Sequence, residues 1–400
     1  MAEDDSIPPA APKDRPPAVL QIVPSLVSGG AERGTVELAE ALVASGWISY
    51  VASSGGPLAA AVARAGATHL TLPLAAKNPL AIRRNAWTLA QLIRRLGVDV
   101  VHARSRAPAW SARAAARATG RRFVTTFHNA YDTDLPFKRW YNSVMAKGDR
   151  VIAISDFVAA YAARVYGVGP ERLRTIPRGV DLAVFDPHPI GPERLAALAH
   201  AWQLPDGVPV VMLPGRLTRW KGGLDFIAAL AALREEFCGV MVGAEQRPGF
   251  RSELQAAAAR AGLGARFRIV ENCGDMPAAY LLAAVVVSAS RDPEGFGRVA
   301  VEAQAMGRPV VATDHGGARE TVAPGESGWL VPPGNPPALA AAIGRALALS
   351  PEARRRLGER ARAHVALRFT REAMCARTIG VYEELLFPAN GGGMMARATG

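Results

Sequence analysis

Short apolar runs alternate with stretches of helical periodicity along this chain, and the alternation occurs twice. In the first series the runs fall at residues 19–23, 50–53, 69–72, 98–102, 123–127 and 151–154. Helices are predicted between them at 31–44, 58–65, 81–96, 108–119 and 156–166. The first of these shows the pattern, because Val36, Leu38, Ala39, Leu42 and Val43 return to one face. A stretch rich in Pro and Gly at 181–207, with one short helix predicted at 192–201, interrupts the series. Alternation then resumes with runs at 208–213, 240–242, 267–270, 285–287, 309–312 and 328–331, and helices at 337–349, 351–367 and 370–386 close the chain. Apolar runs this short, alternating with helices, are what a parallel sheet covered on both faces requires.

The expected fold class is therefore α/β, with two Rossmann-like, doubly wound domains. The 400 residues fit two domains of ordinary size. The boundaries expected are a disordered leader at 1–17, a first domain at 18–185, a linker at 186–207 and a second domain at 208–369. A helix at 370–388 is expected to pack back on the first domain, before a disordered tail at 389–400. Ligands of such sheets sit beyond the carboxyl ends of the strands, so two halves predict a ligand cleft between them.

Composition excludes several classes. No apolar run approaches the ~20 residues that span a bilayer. The opening MAEDDSIPPAAPKDRPP is acidic and proline-rich, without the basic and apolar regions of a secretory signal. Three widely spaced cysteines, Cys238, Cys273 and Cys375, argue for a reducing cytoplasm and against a zinc site. The net charge of +12 favours acidic partners: nucleic acid, an anionic membrane surface, or phosphorylated and carboxylated substrates. Neither zinc-finger spacing nor an RNP-like aromatic pattern supports nucleic acid.

Chemistry concentrates in residues 285–321, where an apolar run, a loop holding Glu294, Gly295 and Gly297, a helix carrying Glu302, and a second run ending at Gly316 and Gly317 form one βαβ unit. Its glycine loop presents backbone N–H groups at a helix N-terminus, which favours an anion. If both glutamates followed helical geometry they would share a face about 12 Å apart, suiting a ligand with hydroxyls at both ends and phosphate between. The same spacing also describes an ordinary βαβ crossover with solvated glutamates. Arg216 and Lys221, in GRLTRWKGG just past the run at 208–213, are two cations able to neutralise a diphosphate leaving group.

Gly215-Arg216-Leu217 with Lys221-Gly222, Glu294-Gly295-Phe296-Gly297 with Glu302-Ala303, and Gly307-Arg308-Pro309-Val310-Val311-Ala312 resemble the retaining GT-B glycosyltransferases of family 4. Their order and the Glu-x7-Glu spacing match, as do Gly29-Gly30-Ala31-Glu32 and His128 after a strand. The resemblance runs from Val19 to about Leu386. It implies a GT-B fold, two Rossmann-like domains facing a central cleft. It implies that Arg216 and Lys221 bind the donor diphosphate, with Gly29 and Gly30 contacting that diphosphate or positioning the acceptor. Glu294, Gly295, Phe296 and Gly297 would hold the donor sugar, Glu302 the ribose, and His128 would reach the sugar from the first domain. His128 and Glu294 would be the catalytic pair. Neither metal nor cofactor is implied, the nucleotide-sugar being a substrate. Double displacement would need a carboxylate at the anomeric carbon. Glu294 is the one candidate, yet its family role is hydroxyl binding, so front-side attack assisted by the leaving phosphate is implied.

Residues 98–155 also resemble the N-terminal half of alphaproteobacterial lipopolysaccharide-core mannosyltransferases, which transfer mannose from GDP-mannose to a Kdo residue. That likeness implies a Kdo–lipid A acceptor, whose carboxylates and phosphates suit Arg104 and Arg106. Phe137, Trp140 and Tyr141 interleave with Lys138, Arg139 and Lys147, which suits peripheral contact with the inner membrane, or equally an amphipathic helix with its aromatics inside. A UDP-sugar with another glycolipid or polysaccharide acceptor, a sugar-nucleotide epimerase and a nucleic-acid-binding protein are the competing readings. The last explains the charge but not the glutamate pair.

Overall fold

The computed structural model describes residues 15–27, 29–76, 78–131 and 135–388. The expected tail and most of the expected leader lie outside these residues. Arg15 is described, and its guanidinium pairs with Asp99 at 2.7 Å.

The chain divides into two compact units. The first holds the chain through Ile154, Ala159–Ile176, and the residues from Met374 onward; the second holds Ser155–Val158 and Pro177–Ala373. In chain order the first part runs β1 (Ala18–Ile22), α1 (Gly30–Ala44), β2 (Ile48–Ser53), α2 (Ala59–Arg64), β3 (Thr68–Thr71), α3 (Pro79–Leu96) and β4 (Val100–Ala103). It continues α4 (Arg106–Ala118), β5 (Arg122–Phe127), α5 (Pro136–Asn142), β6 (Arg150–Ala153), α6 (Asp156–Tyr166) and β7 (Leu173–Thr175). These strands form one parallel sheet in the order β3-β2-β1-β4-β5-β6-β7. The order reverses between β1 and β4, the switch point where the loops after neighbouring strands diverge and leave a crevice.

Each face of this sheet is buried by helices. On one face Leu38 and Leu42 of α1 share a core with Val19, Val100 and Val124, and with Ile379 and Tyr382 of α15 (Arg371–Leu386). The other face is covered by α4, with α3 and α5 against it. Ser111 of α4 donates to the Ile82 carbonyl of α3 (3.0 Å), and Trp110 Nε1 donates to the Tyr141 carbonyl of α5 (3.1 Å). Burial on both faces is why the strands read as unbroken apolar runs. The edge strand β7 has no such signature: its three residues include Arg174, and each is only half-buried.

The second unit runs α7 (Pro192–Ala201), β8 (Val210–Pro214), α8 (Gly223–Ala231), β9 (Cys238–Val242), α9 (Phe250–Arg260), β10 (Phe267–Val270) and α10 (Met276–Leu282). It continues β11 (Ala283–Ser288), α11 (Arg298–Ala305), β12 (Val310–Thr313), α12 (Ala318–Thr321), β13 (Gly328–Val331), α13 (Pro336–Leu347) and α14 (Pro351–Arg368). Its parallel sheet has the order β10-β9-β8-β11-β12-β13, with the switch point between β8 and β11. Val211, Leu213, Phe226, Leu230, Val285 and Val287 build its core. The stretch rich in Pro and Gly is part of this unit, since Arg194 of α7 grips Asp275 through two hydrogen bonds of 2.5 and 2.7 Å. Asp275 also caps α10 by accepting from the Ala278 N–H. Pro and a capping Asn or Ser start α3, α13 and α14 as well, which is why those starts were readable.

Candidate functional site

Lys221 follows β8 and Glu294 follows β11, the two neighbouring strands at the switch point of the second sheet. Three glycines bring them there. Gly215 directly follows β8 at φ 136°, and Gly243, at φ 152°, lies so close to it that a Cβ would strike the Gly215 carbonyl. Gly222 has φ 72°, and a Cβ there would collide with the Ala289 carbonyl oxygen. Only glycine tolerates both the left-handed backbone and that approach. The turn at Arg219–Lys221 is thereby pressed against the segment that follows β11.

Lys221 Nζ donates to Glu294 Oε1 at 2.8 Å, with the two side chains 14% and 15% exposed. Ser290 Oγ (2.5 Å) and Ser288 Oγ (3.2 Å) donate to the same oxygen. Among the described residues no donor is directed at Oε2. Burial pushes the Glu294 carboxyl up, but Lys221 and the two hydroxyls outweigh it and hold it below the usual carboxylate range. The group is therefore a carboxylate with one oxygen fixed by three donors and the other without a donor among the described residues. The Lys221 ammonium also lies 4.5 Å from the centre of the Trp220 ring. Arg216 is exposed just past β8 and has no ion-pair partner among the described residues.

The loop carrying Glu294 is clamped from behind. Gly317 N–H donates to the Glu294 carbonyl (2.8 Å), and a Cβ on Gly316 would lie 2.5 Å from that oxygen. A Cβ on Gly317 would meet Phe296 Cα at 2.5 Å. His315 Nε2 and Thr313 Oγ1 reach the Ser290 carbonyl at 2.7 and 2.8 Å. Arg291 N–H donates to the Trp220 carbonyl (2.7 Å), and its guanidinium forks onto Asp225 of α8 (2.5 and 2.7 Å). The sequence pattern does not single out Ser288, Ser290, Thr313 or Arg291, and only the double glycine hints at the clamp.

Gly295 offers its carbonyl to Ser155 Oγ at 2.5 Å, and Phe296 is buried against Phe369. Both can therefore meet a ligand through backbone amides only. Gly297, at φ 91°, precedes α11 without a side-chain cap, so the first amides of that helix have no side-chain acceptor. Glu302 lies one turn into α11 and is buried, with Oε1 on Arg298 Nε (3.1 Å) and Oε2 on the Tyr280 hydroxyl (2.9 Å). Glu294 precedes the helix, so the shared helical face expected for the two glutamates does not exist. A left-handed glycine separates them instead. A cavity of about 530 Å³ opens beside the Lys221 turn, lined by Thr218, Trp220, Gln246 and Phe250.

In the first unit the remaining candidates also follow the switch-point strands or their neighbour β5. Gly29 is extended (φ 166°), a backbone any residue adopts. A Cβ on it would meet only the movable Glu32 carboxylate, and Gly30 is simply the first residue of α1. His128 directly follows β5 and is half-buried. Arg104 is 4% exposed and donates to Gln21 (3.2 Å), with burial drawing its pKa down, so it faces the interior. His102 is likewise enclosed, between the Tyr382 hydroxyl (2.6 Å) and Thr126 Oγ1 (2.7 Å), and burial pushes its pKa well below normal. Arg106 is accessible. Its guanidinium donates to Asn142 (2.9 Å), lies 4.3 Å over the Tyr131 ring, and borders a cavity of about 510 Å³ that includes Phe137 and Tyr141.

Many solved structures resemble this chain. Residues 28–184 match the family described as Glycosyltransferase Family 4, and residues 197–364 match Glycosyl transferases group 1. A glycosyltransferase of Rickettsia africae superposes with a TM-score of 0.87 at 36% identity, over 94% of this chain and all of that one. The Anabaena protein HepE, solved with UDP and glucose, shares the fold at a TM-score of 0.82 and 22% identity, over 92% of this chain and 99% of its own. A D-inositol 3-phosphate glycosyltransferase of Xylanimonas cellulosilytica is 36% identical over 247 residues, which is 60% of this chain and 58% of that protein. The match thus spans little more than half the length of that relative.

Proposed function

The chain belongs to the glycosyltransferases, with a family 4 first half and a group 1 second half, and from that premise we propose that it is a retaining hexosyltransferase acting on an acidic glycolipid. The observation that carries this reading is the buried Lys221–Glu294 pair at the switch point, beside the uncapped start of α11. Lys221 and Arg216 neutralise the donor diphosphate as negative charge grows on the leaving group, and the α11 amides add to that field. Glu294, held by Lys221, Ser288 and Ser290, accepts donor-sugar hydroxyls through its second oxygen. The amides of Gly295, Phe296 and Gly297 lie alongside it in sequence. Glu302, its carboxylate oriented by Tyr280 and Arg298, takes the ribose hydroxyls. The resemblance alone supports His128 at the sugar and Gly29 and Gly30 at the diphosphate.

Attack proceeds on the face the diphosphate leaves, the departing phosphate oxygen taking the acceptor proton, so no enzymic nucleophile takes part; Lys221, Arg216 and the α11 amides carry the diphosphate charge that a metal would otherwise carry. Acceptor recognition falls to Arg106 and its aromatic cavity, whereas Arg104 is held in the interior on Gln21. Mannose from GDP-mannose and a Kdo–lipid A acceptor are the substrates favoured by the likeness of residues 98–155 to lipopolysaccharide-core enzymes. Relatives named D-inositol 3-phosphate glycosyltransferases favour a second reading, a phosphorylated cyclitol acceptor, and a UDP-sugar is the competing donor. Three free cysteines support a cytoplasmic setting.

The test is turnover on a panel of GDP- and UDP-sugars, with Kdo–lipid A, with inositol 3-phosphate and with no acceptor. The expected product keeps the donor's anomeric configuration by NMR, forms only with an acceptor and is unaffected by EDTA. An inverted product would overturn the retaining mechanism, and an altered sugar nucleotide without acceptor would replace transfer by epimerisation.

A further inference from the structure

Residues 41–148 carry fifteen Lys and Arg against three Asp, a net of twelve, which is the whole formal charge of +12; the rest of the chain balances. Helices α3, α4 and α5 lie within this segment, contain no acidic residue, and cover the same face of the first sheet. Along α3 the exposed positions Leu80, Arg83, Arg84, Trp87, Arg94 and Arg95 recur at helical spacing and form one stripe. Its opposite side buries Leu89 and Ile93. Leu80 is 82% exposed and Trp87 66%.

The same face continues through α4 to α5. Trp140 stacks on Trp110 of α4 with ring centres 4.8 Å apart, which fixes it facing outward at 61% exposure, and Leu135 and Phe137 are exposed beside it. Of the nine large hydrophobic residues exposed among the described residues, five lie on α3 or at α5. We propose that the α3–α4–α5 face of the first unit docks on an anionic lipid bilayer.

Charge and shape select that partner. A stripe of long cationic arms around projecting Trp, Phe and Leu suits a headgroup layer, where arginines meet lipid phosphates and the aromatic rings enter the interface. A nucleic-acid backbone would satisfy the arginines but leave those apolar side chains in water. No helix among the described residues is long and apolar enough to cross a membrane, so the contact is peripheral. This surface is independent of the Lys221–Glu294 site, and its test requires no turnover.

The full chain is floated with phosphatidylcholine vesicles, with and without phosphatidylglycerol, at low and high salt. Binding is expected only to the anionic vesicles and weakens with salt. Arg83→Gln/Arg84→Gln should bind them about thirtyfold more weakly, each charge removed leaving about one fifth of the affinity. Trp87→Ser/Trp140→Ser should abolish the binding that survives high salt. Arg355→Gln/Arg356→Gln, on the exposed face of α14, should bind as the unaltered chain does. Circular dichroism of each variant establishes that it is folded. Equal binding to neutral vesicles, none to anionic ones, or equal weakening by the α14 control would overturn the proposal. So would capture by random-sequence duplex DNA in preference to the anionic vesicles.

Discussion

Lys221 and Glu294 illustrate how one ion pair can set both affinity and protonation. Removing the ammonium should weaken the donor complex about 10- to 100-fold, the worth of a charged hydrogen bond. Lys221→Ala is therefore expected to raise the donor KM by that factor, and an unchanged KM would count against the diphosphate role. The same variant leaves burial as the dominant influence on Glu294 and so raises its pKa. The acidic limb of the pH–rate profile should accordingly move to higher pH. Glu294→Gln keeps the size of the side chain but loses its charge; turnover should fall about a hundredfold or more if the carboxylate acts in the transition state. Near-normal nucleoside-diphosphate release would remove that assignment. These two residues were legible because the motif spacing names them. Ser288 and Ser290, which hold the pair, were not, since their role depends on contacts between separate strand ends rather than on local pattern.

At the scale of elements, glycine turns decide where the strand ends meet. Gly222 combines a left-handed backbone with a blocked Cβ position, whereas Gly262 has the same φ of 72° and nothing within 4 Å. Gly222→Ala should cost about 2–4 kcal/mol and Gly262→Ala about 1 kcal/mol. Thermal melts of the two variants separate strain from steric collision, and equal losses would mean the Ala289 contact is unimportant. Helix starts followed their caps and prolines, and buried strands followed their apolar runs. The edge strand β7 escaped notice because it is short and carries Arg174, whose stem and charge are accommodated by Glu384 of α15. An edge strand needs only one neighbour, so its sequence is less constrained.

For the molecule as a whole, the last helix belongs to a core begun by the first strand, since Tyr382 and Ile379 pack with Val19 and Val100. The buried His102–Tyr382 hydrogen bond ties them. His102 has a depressed pKa, so the unfolded chain binds its proton more readily, and stability falls as pH drops below about 6.5. Urea unfolding from pH 8 to pH 5 should show that decline, and His102→Gln should flatten it; an unchanged slope would assign the loss to other groups. Tyr382→Phe should cost about 1–3 kcal/mol by leaving the imidazole nitrogen unpaired. By itself the sequence determined the two α/β units, the β–α order and the motif residues, because apolar periodicity, caps and glycine spacing are local and survive without neighbours. Only the tertiary structure decided that Arg104 and His102 are interior while Arg106 is accessible, and that one oxygen of Glu294 is already committed. It alone also gathered the arginines of α3 with the aromatics of α5 on one face. Burial and hydrogen-bond partnership are set by residues distant in sequence, and no local pattern encodes them.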